Sequence, residues 1–339
     1  MLKKSSVALL VVLLVIVGSR SASAADSTRE PQPHWRCVVT DKRIDNASGL
    51  VTFGTGYAVI NDRGSHESAI RAYLLDANCQ VTKVLESPGS PSDIEDLGRT
   101  SDGALWLADI GDNDSNRADV TIWKMPPDGG TAKPYRLSYP DGPHDAEALI
   151  LTDNKTPIIV TKTNTGKAGI YLAAASLTGR PREAIPLRHV GTLTVKPTGT
   201  QGGAPGGNVA IANVLVTGGA VSADGRRVAL RTYTDVYEWR IRRGDSARHI
   251  AATIKNTSPQ RTAVPGEHQG ESLAYADHDS RMSTLSEGLD KPLQEWTLFR
   301  PPQSAPDHTA RWIAASVVVA LGLAALAILL IRRFRRNHA

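Results

Sequence analysis

The sequence has few cysteines and none of the short motifs that identify common catalytic sites. Its 339 residues include two cysteines, Cys37 and Cys79, which cannot supply a four-ligand zinc site or a Cys-x-x-Cys redox pair. It contains no Gly-x-Ser-x-Gly nucleophile elbow, no His-Glu-x-x-His zinc motif and no phosphate-binding loop. The enzyme classes that depend on these motifs are therefore excluded.

Long apolar runs are confined to the two ends of the chain. At the N-terminus, Lys3 and Lys4 precede an apolar run, 7–17, and an Ala-x-Ala site that ends at Ala24. This order is typical of a secretory signal peptide over residues 1–25, because the run is too short to span a membrane comfortably. An uncleaved N-terminal anchor is the alternative.

The second apolar run lies near the C-terminus. Residues 313–331 contain no charged side chain, and the tail 332–339 contains four arginines, which normally stay in the cytoplasm. At about 1.5 Å per residue, the run approaches the roughly 30 Å of the hydrocarbon core. The pattern predicts one transmembrane helix after a Pro-rich stalk, 301–312, with a buried helix of a soluble domain as the alternative. We expect a single-pass plasma-membrane protein with an extracytoplasmic N-terminal domain and a cytoplasmic C-terminus.

Basic charge is concentrated at these same ends. The isoelectric point is about 9.2, yet three of the 39 basic residues fall in the predicted signal peptide and four in the tail. The remaining 32 basic residues face 34 acidic ones, so the predicted external part is nearly neutral. Nucleic acid is therefore excluded as a partner, and the membrane is the expected one. In the oxidising compartment outside the cell, Cys37 and Cys79 are predicted to form a disulfide.

A repeat sets the expected fold. Five segments begin with a small or acidic pair before an aliphatic residue and continue through a turn into a second apolar strand. They start at Ser48, Glu95, Glu147, Gly219 and Glu271, about 45 to 52 residues apart except for one gap of about 72. Four strands with this period predict an all-β fold, a β-propeller over residues 26–300. Five blades are favoured over six, since the Gly-rich segment 196–208 in the long gap is typical of a loop; a two-sheet sandwich is the alternative.

The repeat places carboxylates in equivalent positions. The first strand of a propeller blade lines the central channel, so Glu95, Glu147 and Glu271 are expected to converge there, with Ser48 and Gly219 in the other two blades. Three converging carboxylates repel one another and require a cation, basic partners or raised pKa values.

The ends of the second strands offer partners for these glutamates. Asp62 and Asp109 supply further oxygen atoms, while Lys162 and Arg231 supply positive charge. Two interpretations stay open. One is a divalent-metal site, with Ca²⁺ as the ion that suits all-oxygen ligands. The other is a structural plug in which Lys162 and Arg231 neutralise the glutamates.

Asp109 also opens an oxygen-rich segment, 109–116, in which Asp112 is a further candidate ligand. The segment fails as a helix-loop-helix calcium motif, because Arg117 stands where glycine is needed and Trp123 where a bidentate glutamate is needed. It is either a tight turn capped by its own side chains or a loop that completes the propeller metal site.

Two histidines share a short pattern with the glutamates. His144 lies three residues before Glu147, and His268 lies three residues before Glu271. At the channel entrance they are candidates for a general base or for anion binding. Solvated surface histidines are the alternative.

Four segments of the chain resemble a known group of proteins. They are 93–97 (Asp-Ile-Glu-Asp-Leu), 108–113 (Ala-Asp-Ile-Gly-Asp-Asn), 145–149 (Asp-Ala-Glu-Ala-Leu) and 270–273 (Gly-Glu-Ser-Leu). They resemble segments of actinobacterial membrane-anchored propellers and, more distantly, of the "esterase-like activity of phytase" propellers, over roughly residues 35–300. The resemblance implies hydrolysis of phosphate or other esters, although no nucleophile or complete calcium-phosphate cradle matches.

Two functions follow from these patterns. The absence of a complete catalytic set favours a surface module that binds a cell-wall component, a small molecule or a protein. The alternative is a metal-dependent hydrolase of the phytase or lactonase kind. In that case Glu95, Glu147, Glu271 and Asp109 would hold the ion, and a histidine would move protons.

Overall fold

A computed structural model of the chain describes residues 33–62, 69–179, 182–276 and 278–297, together with Ile328, Arg332, Arg333 and Arg336. The predicted signal peptide and stalk lie outside these residues, as does the predicted transmembrane helix at 313–331 apart from Ile328. Among the described residues, no helix has the length and apolarity needed to cross a membrane. The two ends of the chain therefore remain predictions.

The described part of the chain forms five four-stranded blades, numbered here 1 to 5, of which blades 2 and 3 are joined into one eight-stranded sheet. An N-terminal strand, β1 (His34–Val39), precedes them. Blade 1 contains β2 (Ala47–Phe53), β3 (Gly56–Asn61), β4 (Ala69–Leu75) and β5 (Val81–Pro88). Blade 2 contains β6 (Ile94–Arg99), β7 (Leu105–Asp109), β8 (Val120–Met125) and β9 (Lys133–Ser138). Blade 3 contains β10 (Ala146–Ile150), β11 (Ile158–Thr161), β12 (Lys167–Ala173) and β13 (Ile185–Thr194). Blade 4 contains β14 (Val216–Val221), β15 (Arg227–Thr232), β16 (Asp235–Arg240) and β17 (Gln260–Ala263). Blade 5 contains β18 (Gly270–Ala276), β19 (Arg281–Ser286), β20 (Lys291–Thr297) and, on its outer edge, β1.

The inner strands of the blades close into a ring. Strand β2 contacts β6, and the contacts continue through β10, β14 and β18 back to β2. Strand β1 pairs antiparallel with β20, with Cys37 opposite Leu293, so the N-terminal strand completes the last blade. The parallel pairing of β13 with β9 joins the outer edges of blades 2 and 3. The predicted all-β propeller is confirmed, and the described residues contain five blades.

Face-to-face packing of the blades explains the apolar runs in the sequence. Each blade is covered on both faces by its neighbours, so its second strand is buried on both sides and needs no polar alternation. In β7, Leu105, Trp106, Leu107 and Ala108 are all fully buried. Leu105 and Leu107 pack in the cluster shared with blade 1, whereas Trp106 and Ala108 pack in the cluster shared with blade 3.

In the described residues, the long gap between the third and fourth repeats contains no sixth inner strand. After β13 the chain runs as a loop into a single turn of helix, α1 (Val209–Ala212), and the loop prediction for 196–208 is confirmed. Two threonines of this loop, Thr198 and Thr200, donate hydrogen bonds to the buried carboxylate of Asp235 in blade 4. A second helix, α2 (Ala247–Asn256), lies between β16 and β17 and packs against β12 and β13.

The predicted disulfide is present. Cys37 of β1 is bonded to Cys79 in the turn between β4 and β5, with the two Cα atoms 5.8 Å apart. The bond therefore joins the outer edge of blade 5 to blade 1, next to the point where the ring closes.

Candidate metal site at one mouth of the channel

A bulge near the start of each inner strand positions the candidate residues. The pairing register with the second strand shifts by one residue at Glu95 in β6, at Glu147 in β10 and at Glu271 in β18. A bulge inserts an unpaired residue and re-aims its side chain. The three predicted glutamates are these extra residues, so one local irregularity, repeated in three blades, turns them out of the sheets.

The position of the bulge in blade 4 differs by two residues from the position that the sequence pattern gave. The shift in β14 falls between Val216 and Gly218, so Thr217 occupies the glutamate position. Gly219, which the sequence pattern had placed there, pairs with Leu230 two residues further on. In blade 1 the shift covers Ser48, as predicted. Both hydroxyls bond to the backbone of the next inner strand: Ser48 Oγ donates to Glu95 O, and Thr217 Oγ1 donates to Gly270 O.

The three glutamates come together in a buried environment. Their exposed fractions are 1% for Glu95, 3% for Glu147 and 2% for Glu271. Burial and the charge of Glu147 raise the pKa of Glu95, and they raise the pKa of Glu271 in the same way. Burial raises the pKa of Glu147 to about 8 although Lys162 opposes the shift. Each of the three carboxylates has one oxygen, Oε2, that is buried and accepts no hydrogen bond from the residues that the structure describes.

A group suited to hold one ion lies at this mouth. Asp62, Asp93 and Glu95 each offer a carboxylate oxygen, and these oxygens lie within 4.8 Å of one another. Asp62 was a predicted ligand, whereas Asp93 was not. Gly111 packs directly against the group: a Cβ added there would collide with Glu95 Oε1 and lie 2.7 Å from Asp93 Oδ2. The absence of a side chain at residue 111 therefore keeps space beside these carboxylates.

Positive charge at the mouth is limited in the described residues. Lys162 forms an ion pair with Glu147 and lies 5.3 Å from the centre of the Tyr233 ring. Burial opposes the charge of Lys162, but Glu147 overcomes this effect and raises the pKa of the ammonium group above its ordinary value. Tyr233 in turn donates a hydrogen bond of 3.4 Å to Glu271 Oε1.

Arg231, the second expected neutralising residue, has another partner. It is fully buried, and its Nη2 lies 2.8 Å from Glu267 Oε2. Its other donors bond to the backbone oxygens of Thr232, Ser272 and Tyr233. Of the two cations in the ion-paired plug interpretation, the structure therefore brings only Lys162 to a channel glutamate.

Asp109 and Asp112 are engaged in holding their loop. Asp109 accepts hydrogen bonds from the backbone of Ser92 and Asp93 and from Trp123 Nε1, and it lies 2.9 Å from Arg117. Asp112 accepts from the backbone of Asn116 and Arg117. This geometry matches a turn capped by its own side chains. Asp109 nevertheless contributes to the site indirectly, because its 2.9 Å bond to the Asp93 amide fixes the position of that residue.

The two candidate histidines contact residues other than the channel glutamates. His144 Nε2 lies 3.0 Å from Asp141 Oδ1 and 2.8 Å from the Tyr171 hydroxyl, and its ring stands edge-on to Tyr139. His268 is exposed, with its ring close to Gly203. In the described residues neither histidine has a hydrogen bond to a channel glutamate.

Comparisons with known proteins give a distant likeness in fold. No family model matches the chain, and no curated protein matches it. A gluconolactonase from Xanthomonas campestris shares 11% identity over 80% of this chain and 96% of its own, with a TM-score of 0.43. Glutaminyl cyclase from Myxococcus xanthus shares 11% over 80% of this chain and 99% of its own, with a TM-score of 0.41. A luciferin-regenerating enzyme shares 11% over 78% and 95%, with a TM-score of 0.38. The chemistry of the site therefore rests on its own geometry.

Proposed function

We propose that this chain is a membrane-anchored, extracytoplasmic propeller that binds one divalent cation, Ca²⁺, at the carboxylate mouth of its channel. Asp62, Asp93 and Glu95 hold the ion, and Glu147 and Glu271 complete the negative surroundings. The bound ion then presents open coordination positions to an oxygen-rich ligand of the cell surface, either a wall component, a small molecule or a protein.

One observation carries the proposal: three glutamates from three blades are buried together, and each has an oxygen without a hydrogen-bond partner. An uncompensated buried carboxylate costs several kcal/mol, so a set of them persists only with protons, basic partners or a metal ion. Lys162 neutralises one glutamate. Ca²⁺ accepts six to eight oxygen ligands in flexible geometry, which suits carboxylates delivered from separate strands.

The cation is tested on the full chain by metal analysis and by thermal melting. With Ca²⁺ at about 100 times its dissociation constant, binding stabilises the folded state by about 2.7 kcal/mol. For a domain of this size, that is a shift of roughly 5 to 10 °C relative to protein in chelator. Glu95→Gln and Asp62→Asn are expected to abolish the shift. Glu86→Gln is the matched control, because Glu86 is exposed on β5 and pairs with Arg71 at the surface.

Gly111→Ala provides a test that removes no ligand. The added Cβ meets the movable ends of Glu95 and Asp93, so the fold is kept while the carboxylates are pushed out of position. We expect the calcium shift to fall by at least half. Gly98→Ala, in the same strand as Glu95, is the control, because its Cβ would find ordinary contacts of 3.4 Å or more with Leu149 and Leu151. Identical melting of the wild type in calcium and in chelator would refute the proposal.

Hydrolysis is the second candidate, and the Tyr233–Glu271 pair supports it. A bound cation lowers the pKa of a coordinated water, and a neighbouring carboxylate can accept the proton released. Glu271 fits that role better than the histidines, because its charge acts on the proposed ligand Glu95 and raises the pKa of that group. A panel of phosphomonoesters, carboxyl esters and lactones tests it with calcium-loaded protein. Turnover that is lost in Glu271→Gln supports hydrolysis, and no turnover across the panel leaves ligand binding as the function.

A further inference from the structure

A cavity lies at the opposite mouth of the channel. Its volume is about 370 Å³, and its lining includes equivalent inner-strand positions of all five blades. Four of these positions carry leucine and the fifth carries glycine: Leu50, Leu97, Leu149, Leu273 and Gly219. The floor of the cavity is therefore a largely apolar ring around the propeller axis.

Asp96 stands at the inner end of this cavity. It is 1% exposed, and its Oδ2 accepts hydrogen bonds from the backbone of Leu149 at 2.7 Å and of Gly219 at 2.9 Å. Its carboxylate thus bonds the inner strands of the next two blades. Since Asp96 lies between Glu95 of the carboxylate mouth and Leu97 of the cavity floor, the two ends of the channel are separate sites.

Two adjacent arginines lie on the outer rim of the cavity. Arg242 and Arg243 line it, both are exposed, and neither has an ion pair among the residues that the structure describes. The stem of Arg243 lies against Gly225, since a Cβ added there would be 3.6 Å from Arg243 Cγ. The base of the Arg243 side chain therefore lies at the cavity rim.

The acidic residues at the same rim accept hydrogen bonds from nearby turns of the protein. Asp153 accepts from the backbone of Ser101 at 2.7 Å, and Asp245 accepts from the backbone of Arg242 at 2.8 Å. Asp224 accepts from the Ser222 hydroxyl at 2.6 Å. The rim therefore carries both signs of charge: its carboxylates hold turns, while Arg242 and Arg243 have no ion pair in the described part of the chain and can pair with an external ligand.

We propose that this cavity binds a small amphipathic organic anion, with its apolar body on the leucine ring and its acidic group at Arg242 and Arg243. The volume lies within the range of about 300 to 1,000 Å³ that is usual for small-molecule sites, which combine apolar walls with a few convergent polar groups. Arginine pairs with carboxylates in a planar, bidentate geometry, so a carboxylate is the acidic group that fits best.

Calorimetric titration of the full chain with 2-naphthoate tests the proposal. We expect binding at one site per chain and at least tenfold weaker binding of the neutral analogue 2-naphthalenemethanol. Changing Arg242 and Arg243 together to glutamine should weaken naphthoate at least tenfold and leave the neutral analogue unchanged. Arg188→Gln is the matched control, because Arg188 is an exposed arginine on β13 outside the cavity lining.

The calcium site provides an internal check on location. Naphthoate binding at the cavity should be the same in chelator and in Glu95→Gln, so this proposal and the cation proposal can fail independently. Absence of binding, equal affinity for both compounds, or full affinity in the double arginine variant would overturn it. Binding that disappears in chelator would place the anion at the carboxylate mouth and would also overturn it.

Discussion

The buried glutamates predict a specific pH dependence of stability in the absence of metal. Glu95 has an ordinary pKa of 4.5, and burial together with the charges of Glu147 and Asp62 raises its pKa well above that value in the folded chain. Above pH 4.5 the unfolded chain therefore releases a proton that the folded chain retains. The stability conferred by the protonated group is complete below pH 4.5 and declines as the pH rises towards the folded pKa.

Linkage fixes the size of this effect. For each proton that the folded state binds and the unfolded state does not, the free energy of unfolding falls by about 1.4 kcal/mol for every unit that the pH rises. In chelator, Glu95→Gln removes one such proton, so between pH 5 and pH 7 the wild type should lose more stability than the variant. The difference is at most about 2.7 kcal/mol, the value for a proton that the folded state keeps throughout this range.

Urea unfolding at pH 5, 6 and 7 in chelator measures the difference, with Glu86→Gln as a control that should run parallel to the wild type. At pH 7, calcium should stabilise the wild type more than Glu95→Gln, because the cation replaces the protons of the wild type and finds no complete site in the variant. Parallel curves for the wild type and Glu95→Gln across this range would refute the account of the glutamates as a buried, proton-linked group.

Three further predictions concern the scaffold. Replacing Cys37 and Cys79 together by serine opens a loop with a sequence separation of 42 residues and should cost about 4 kcal/mol in the chain-entropy estimate, measured by urea unfolding. Glu267→Gln leaves Arg231 buried without its counter-charge and should cost about 3 to 5 kcal/mol, whereas a loss below 1 kcal/mol would contradict the buried ion pair. Asp96→Ala should cost at least about 2 kcal/mol, because two backbone N–H groups of neighbouring blades lose their acceptor; unchanged melting would exclude that role.

The sequence contains enough information to predict the propeller, because its repeat is directly visible. Each blade repeats a buried inner strand, a tight turn and a second apolar strand, and the Asp102-Gly103 turn has the positive φ of +81° at glycine that the pattern predicts. The helix α2 was missed because its buried face consists of a few small or branched residues, Ile250, Ala251 and Ile254, within a polar segment. Short amphipathic helices of this kind give a weak periodic signal.

The candidate site was predictable in part. Repetition identified the three glutamates, but it misaligned blade 4, since Gly219-Ala220-Val221 imitates the small-pair pattern two residues beyond the bulge. Asp93 left a weak signal, a second carboxylate two residues before Glu95; because it precedes β6 and Glu95 lies in a bulge, the two-residue period of a strand does not predict their contact. The role of Gly111 leaves no such trace, because it depends on a contact between segments that only the fold brings together.

The bulges explain why the chemistry gathers at the mouths and is absent from the middle of the channel. The inner strands approach so closely that a Cβ at Gly49 would lie 2.5 Å from the Leu97 nitrogen, and one at Gly219 would lie 2.7 Å from the Leu149 oxygen. A ring this narrow is filled by backbone and by the Asp96 carboxylate, and it has no room for three further side chains at one level. Only where a bulge interrupts the pairing can a glutamate turn towards the axis. Carboxylates delivered in this way are buried by the same close packing, which removes the water that would otherwise solvate them. A compact cation meets both constraints at once, because it satisfies several oxygens in a space that another side chain could not enter.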